Sequence, residues 1–243
     1  MDFLEFSDFL NTVMRDNGFS VPVAEDKSRK LYFLMQHMLE VNKTMNLTAI
    51  KEEKAVVVRH FLDSLTIELF LEKNAKMLDV GCGAGFPSLP VGIFRDDLAI
   101  SALDSTEKRI RYVQDTAAKL ALPHFCAIAA RAEALAHDPC YREAFDVVTA
   151  RAVAPLPVLA ELCLPFARVG GSFIAMKATR GEEELAVARS AITRLGGRVD
   201  ATRTVLLKWG GEQEERLLIR ITKARPTPAN LPRPYAKISK NPL

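Results

Sequence analysis

From Lys76 onward, short apolar runs alternate with amphipathic stretches of helical period, and this alternation limits the fold more than any other feature of the chain. The spacing predicts strands over 77–80, 99–103, 125–129, 145–149 and 172–176. Between them lie helical stretches, one with Ile110, Val113, Ala117 and Leu120 on a single face, another over about 156–166. Such βαβ units imply a parallel sheet covered by helices on both faces. A further helix over 182–195 stops at Gly196-Gly197, a normal C-terminal signal. Runs 199–207 and 216–222 follow without a helix between them and read as an antiparallel hairpin. The expected architecture is α/β and Rossmann-like: a mostly parallel seven-stranded sheet with an antiparallel last strand.

The first 75 residues lack that alternation. Phe3, Phe6, Leu10 and Val13 keep one-face helical spacing, as do Leu31, Leu34, Met38 and Val41, and a third helix is expected over 52–71. The chain therefore divides into a helical N-terminal extension (1–75), a Rossmann-like domain (76–222) and a C-terminal tail (223–243) packed on, or extending from, the same domain. The tail carries Lys223, Arg225, Arg233, Lys237 and Lys240 and no acid, with prolines at 226, 228, 232, 234 and 242. So many prolines argue against a helix or a central strand. A basic extended tail reads either as a phosphate-contacting arm or as a solvated terminus, and composition weighs the two evenly.

Composition excludes whole classes. With 49% hydrophobic and 26% charged residues, disorder and fibrous repeats are out, and a net charge of +3 decides nothing. No apolar run approaches a membrane span, and Asp2, Glu5 and Asp8 are wrong for a signal peptide, so a cytoplasmic protein is expected. Cys82, Cys126, Cys140 and Cys163 show no metal-site spacing and are expected as buried reduced thiols.

The first strand runs into Asp79-Val80-Gly81-Cys82-Gly83-Ala84-Gly85. In open α/β sheets ligands bind beyond the carboxyl ends of the strands, where glycines let a ligand approach the backbone. Asp104 closes the second strand, where a carboxylate can accept hydrogen bonds from ribose hydroxyls; a helix-start acid is the lesser alternative. Dinucleotide fingerprints need a small residue where this chain has Phe86, and no Walker lysine follows. A ligand with an adenosine half and no pyrophosphate fits better, namely S-adenosyl-L-methionine. Asp79 is then placed near its cationic end. Glu133, after the third strand, is placed at the adenine edge, with a solvated loop as an almost equal alternative.

Asn42, Asn46-Leu47-Thr48-Ala49-Ile50 and Arg59-His60-Phe61-Leu62-Asp63-Ser64 resemble the N-terminal part of the bacterial RsmG (GidB) family. Leu78-Asp79-Val80-Gly81, Leu103-Asp104-Ser105, Lys108-Arg109, Arg131-Ala132-Glu133, Ala150-Arg151-Ala152, Met176-Lys177 and the tail are similar to its later blocks, in order. The resemblance implies a class I methyltransferase that moves methyl from S-adenosyl-L-methionine to N7 of a specific guanine in 16S rRNA. It also implies a small-ribosomal-subunit partner, and we expect a monomer. By the same resemblance Gly81, Phe86, Ala132, Glu133 and Arg151 fall on cofactor positions, and His60 becomes a site candidate. This chain departs from the family at Ser88, where glycine is usual, and at Tyr235-Ala236-Lys237-Ile238-Ser239, where a Gly-Thr-Pro stretch is usual.

N7 carries a free lone pair and needs no general base. In keeping with it, Ala150-Arg151-Ala152-Val153-Ala154-Pro155 is not the Asp/Asn-Pro-Pro-aromatic run of amine methyltransferases, and Cys140 lies before its strand. Arg151 and Lys177 are expected to position substrate or cofactor at the rim. Arg131, with Lys108 and Arg109 in a first helical turn where cations are slightly disfavoured, is expected to meet RNA, as are Arg233, Lys237 and Lys240. Methylation of a small molecule or protein, and a non-catalytic nucleotide sensor, are the rival readings.

Overall fold

A computed structural model describes residues 1–178 and 180–243. Helix α1 (Phe3–Asp16) starts in a reciprocal cap: the Asp2 carboxylate accepts the Glu5 N–H, and the Glu5 carboxylate accepts the Asp2 N–H. Its Phe6, Leu10, Val13 and Met14 are buried together with Leu31, Leu34, Met35 and Met38 of α2 (Glu25–Met45). The third helix is not regular. It begins as α3 (Glu53–Val56), widens into a π-helical turn (Val57–Leu62), resumes as α4 (Asp63–Leu65) and tightens to a 3-10 turn (Thr66–Phe70).

The chain then alternates β1 (Lys76–Val80), α5 (Ser88–Phe94), β2 (Ala99–Asp104), α6 (Glu107–Lys119), β3 (Phe125–Ala129), α7 (Ala132–Leu135), β4 (Phe145–Arg151), α8 (Leu156–Cys163), β5 (Ala167–Lys177) and α9 (Gly181–Arg194). It closes with β6 (Gly197–Trp209), β7 (Glu212–Lys223) and α10 (Tyr235–Lys240). The seven strands are ordered β3-β2-β1-β4-β5-β7-β6, and β7 runs antiparallel to the other six. The expected sheet is the observed one, with longer fourth to seventh strands. The order reverses between β1 and β4, so the carboxyl ends of those strands diverge and leave a crevice.

Alternate strand residues face opposite layers. Leu78, Val80, Leu103 and Val148 pack against α8, α9 and Ile238 of α10, whereas Ala102 packs with α5, α6 and the N-terminal helices. Two expectations are corrected. The tail packs on the domain rather than extending from it, and it holds a helix, α10, between prolines that were expected to exclude one. Arg142 donates to the carbonyls of Thr227, Pro228 and Leu231, and Lys223 is fully buried, donating to the carbonyls of Leu164 and Ala167 and to Thr227 Oγ1. Of the cysteines, Cys82 and Cys163 are buried but Cys126 and Cys140 are exposed. Among the described residues no helix is long and apolar enough to cross a membrane, and no His/Cys/Asp/Glu cluster suits a metal ion.

Candidate active site

A cleft of about 860 Å³ opens at the carboxyl ends of β1, β2 and β4. That volume suits a nucleoside-sized ligand with room beside it. Its floor is the glycine loop, held by the Gly81 and Cys82 N–H groups donating to the Leu103 carbonyl at 2.7 and 3.0 Å. Gly81, Gly83 and Gly85 all have positive φ, but they serve different ends. A Cβ on Gly83 would meet nothing within 4 Å, so this glycine keeps the cleft open to a ligand. A Cβ on Gly81 would lie 2.5 Å from Val153, and one on Gly85 would lie 2.4 Å from Leu89. Gly85 does not line the cleft and is a packing glycine, a correction to its expected cofactor role.

Asp104, nearly buried at the tip of β2, accepts the Gly83 N–H on Oδ2 at 3.1 Å and the Thr106 N–H on Oδ1 at 2.8 Å. Each oxygen keeps a further lone pair, so its bonds to the loop and the helix start leave it able to accept from a ligand hydroxyl. Arg109 Nη1 stands 3.9 Å from Oδ2 and also lines the cleft. Ala132 and Glu133 form part of the wall at the start of α7, as expected, with Arg131 exposed beside them. The open Gly83, the Asp104 carboxylate and this wall fit an adenosine-bearing ligand.

Asp79 is corrected. It is fully buried and does not line the cleft; Oδ2 accepts the Ser88 N–H at 3.2 Å while Oδ1 has no partner. Burial pushes its carboxyl up to about 7. It can act on a cation in the cleft only through its field.

The opposite wall comes from the N-terminal helices. His60, in the π-helical turn, stacks on Phe86 with ring centres 4.4 Å apart and planes 7° from parallel. Arg151 Nη2 lies 3.1 Å from His60 Nδ1, and Thr48 Oγ1 lies 2.9 Å from His60 Nε2. Guanidinium can only donate, so Nδ1 accepts and the ring proton sits on Nε2, donated to Thr48. Burial first, and then the Arg151 charge, depress His60 to about 3, so the ring is neutral. Asn42 holds Thr48 in place, accepting its N–H and donating to its carbonyl, both at 2.9 Å.

Arg151 reaches across to this wall. Its Nη1 donates to the Arg59 carbonyl at 2.9 Å and to Asp63 Oδ2 at 3.0 Å. Arg216 Nε approaches the other Asp63 oxygen at 3.3 Å. Arg151 therefore clamps β4 to the extension as well as lining the cleft. Lys177 lines it too, but its ammonium is engaged by the Ala154 carbonyl at 3.0 Å and Glu184 at 2.7 Å. Both expected positioners are braced within the protein. Of the expected RNA-facing cations, Lys108, Lys237 and Lys240 are exposed, though none of them lines the cleft. Arg233 is corrected: its N–H, Nε and Nη2 all donate to Glu161, a buried carboxylate on α8. The sequence reading had no role for Thr48, Asp63, Arg216 or Tyr235, all of which line the cleft. The only signal for the first two was their place in the N-terminal motif blocks.

Comparison with known proteins gives a consistent picture. The family model for rRNA small subunit methyltransferase G (GidB) matches residues 27–214. The chain is 42% identical over 240 residues to the ribosomal RNA small subunit methyltransferase G of Lactobacillus delbrueckii subsp. bulgaricus, covering 97% of this chain and 98% of that one. It is 45% identical over 208 residues to that of Geobacillus thermodenitrificans, with coverages of 85% and 87%. A crystal structure of a SAM-dependent methyltransferase from Aquifex aeolicus superposes with a TM-score of 0.54 at 18% identity, covering 73% of this chain and 97% of that one. That last likeness supports the fold.

Proposed function

Because the chain belongs to the rRNA small subunit methyltransferase G (GidB) family, we propose that it moves a methyl group from S-adenosyl-L-methionine to N7 of a guanine in 16S rRNA. The observation that carries the acceptor assignment is the state of the cleft's acid–base groups. His60 has both ring nitrogens engaged and is neutral, Asp63 sits between two guanidiniums, and Glu184 is tied to Lys177. Asp104 accepts two backbone N–H groups and is assigned to the ribose, which leaves Glu133, on the adenosine side, as the one carboxylate without a side-chain hydrogen bond among the described cleft residues. An acceptor that must lose a proton is poorly served here. A lone pair on guanine N7 needs only placement.

S-adenosyl-L-methionine supplies an electrophilic methyl on a sulfonium. Asp104 would hold the ribose hydroxyls, Gly83 would leave the space beside them, and Ala132 with Glu133 would border the adenine. Phe86, stacked on His60 and flanked by the Arg151 guanidinium 5.4 Å from its ring centre, makes a rigid wall for the acceptor. Exposed Arg131, with Arg109, gives the rim the positive charge that draws RNA phosphates, and exposed Lys108 beside Arg109 in the chain extends it outside the cleft. The same reading takes the enzyme as a monomer that acts on the small ribosomal subunit in the cytoplasm.

The test is methyl transfer from radiolabelled S-adenosyl-L-methionine to 30S subunits and to stripped 16S rRNA that lack the modification. Nuclease digestion should release the label as 7-methylguanosine. Label in any other nucleoside refutes the acceptor, and label only in a protein or small molecule refutes the RNA substrate.

A further inference from the structure

An aromatic ring from the far end of the chain stands in the same cleft. Tyr235, the first residue of α10, lines it and is 39% exposed. Its backbone is firmly held. Arg233, two residues earlier, is fixed to buried Glu161 by three hydrogen bonds of 2.7–2.9 Å, and its Nη2 also reaches the Asn241 carbonyl at the helix end. Ile238, three residues later, is fully buried beneath the helix, and His137 bonds the Pro232 carbonyl at 2.9 Å. The protein thus anchors both sides of Tyr235 while leaving the residue part-exposed in the cleft. Exposed Arg131 and Arg180 line the cleft with it, and Lys237 lies two residues along the helix.

A part-exposed, rigidly mounted aromatic bordered by cations is an arrangement that captures unstacked bases of single-stranded RNA, because every base offers a π-face and every phosphate a charge. We propose that Tyr235 is a substrate-positioning residue, a platform on which a base of the substrate RNA stacks as the target guanine enters the cleft. The inference rests on the RNA-methyltransferase reading and deepens it.

The test uses the full-length protein and unmodified 16S rRNA, with Tyr235→Ala, Tyr235→Leu, Tyr235→Phe and Tyr235→Trp. Losing one stacked base weakens RNA binding by about 5- to 150-fold, so Tyr235→Ala and Tyr235→Leu should raise KM for RNA by that factor. Tyr235→Phe and Tyr235→Trp should stay within about threefold of the wild type, a rescue that a merely structural role for the residue does not give. Affinity for S-adenosyl-L-methionine and the thermal midpoint should not move in any of the four. Three results overturn the platform: unchanged KM in Tyr235→Ala, a Phe variant as weak as the Ala variant, or a loss confined to cofactor affinity. In each of these the wild type still methylates rRNA, so the functional reading survives. A wild type that methylates no rRNA removes that reading and the platform with it.

Discussion

Replacing Asp104 with alanine separates a ribose-binding carboxylate from a purely structural one. In the structure its two oxygens each accept one backbone N–H, from Gly83 and Thr106, and the side chain forms part of the cleft wall. Two ribose hydroxyls donating to the same carboxylate would add two charge-assisted hydrogen bonds, each worth about 1.5–3 kcal/mol. Their loss corresponds to about 3–6 kcal/mol, or a rise of about 10²- to 10⁴-fold in Kd for S-adenosyl-L-methionine. The two backbone N–H groups lose their acceptor as well, but Gly83 and Thr106 border the cleft, where water can replace it. Global stability should therefore fall by only about 1–2 kcal/mol, far less than the loss in binding. Asp104→Asn sharpens the result. It keeps one carbonyl oxygen for Thr106 but turns an N–H toward the Gly83 N–H, so binding should weaken although side-chain volume is unchanged. Calorimetric titration with the cofactor, beside urea unfolding of the same samples, reads both quantities. An Asp104→Ala protein that is folded and binds within threefold of wild type refutes the ribose assignment.

Arg151→Met should destabilise the protein by about 3–5 kcal/mol in urea unfolding, because it leaves Asp63 buried beside Arg216 alone, and adding Asp63→Asn should recover part of that loss; additive effects would refute the clamp. Single-turnover methylation should show no tenfold rise per pH unit from about pH 6 to 9, since His60 at about 3 stays neutral throughout and Asp79, at about 7, can add only a shallow change through its field; such a rise would contradict an acceptor without a proton to lose. The two buried titrations oppose each other. His60 is depressed, so its contribution is present above its ordinary value of 6.5 and lost as pH falls toward 3; Asp79 is raised, so the wild type loses stability as pH rises from 3.8 toward 7. Asp79→Asn should gain on the wild type across that second window, by up to about 4 kcal/mol in urea unfolding, and a constant difference would refute a raised Asp79. In the tail, Lys237→Ala with Lys240→Ala should lower the salt slope of RNA binding by about 0.7–0.9 per lost phosphate contact at unchanged stability. Arg233→Ala should instead lower stability by about 3–5 kcal/mol, because Glu161 is left buried and unpaired; an unchanged slope in the first or unchanged stability in the second refutes that assignment.

What could be read in the sequence was what local chemistry decides. The glycine loop after β1 and the acid at the tip of β2 are fixed by the strand–turn–helix pattern around them, and both lie where that pattern puts them. Side-chain partners across the fold were beyond reach. Arg151 looks like a free rim cation until Asp63, 88 residues away, is seen to hold it, and Arg233 looks like an RNA contact until Glu161 appears behind it. Asp79 shows the limit of reading charge from position: being on the right strand does not say which side of the strand faces the cleft. The tail was misread for a related reason. Its prolines exclude a helix only where they interrupt one, and Pro234 stands immediately before α10, a position that tolerates proline. No periodicity announces a π-helical turn either, since one extra residue in a helix leaves the apolar pattern of 52–71 nearly intact.

That turn matters to the chemistry because of what it carries. Arg59 and His60 both lie in it, and through them the extension meets β4: the Arg59 carbonyl and the His60 ring both take hydrogen bonds from Arg151. A regular helix would have shifted the residues after Val57 by a fraction of a turn and taken His60 off the face that stacks on Phe86. On the proposed reading the sheet supplies the cofactor side of the cleft, through the glycine loop after β1 and Asp104 at the tip of β2. The acceptor side, Thr48, His60 and Asp63, is built from residues outside the sheet altogether. A reaction that needs alignment rather than proton transfer depends on the relative placement of those two sides. Arg151 bonds both of them, so its substitution by lysine, which keeps the charge but not the planar fork, should lower kcat more than it lowers cofactor affinity. Equal losses in the two would place Arg151 on the cofactor alone and refute its role in holding the acceptor wall.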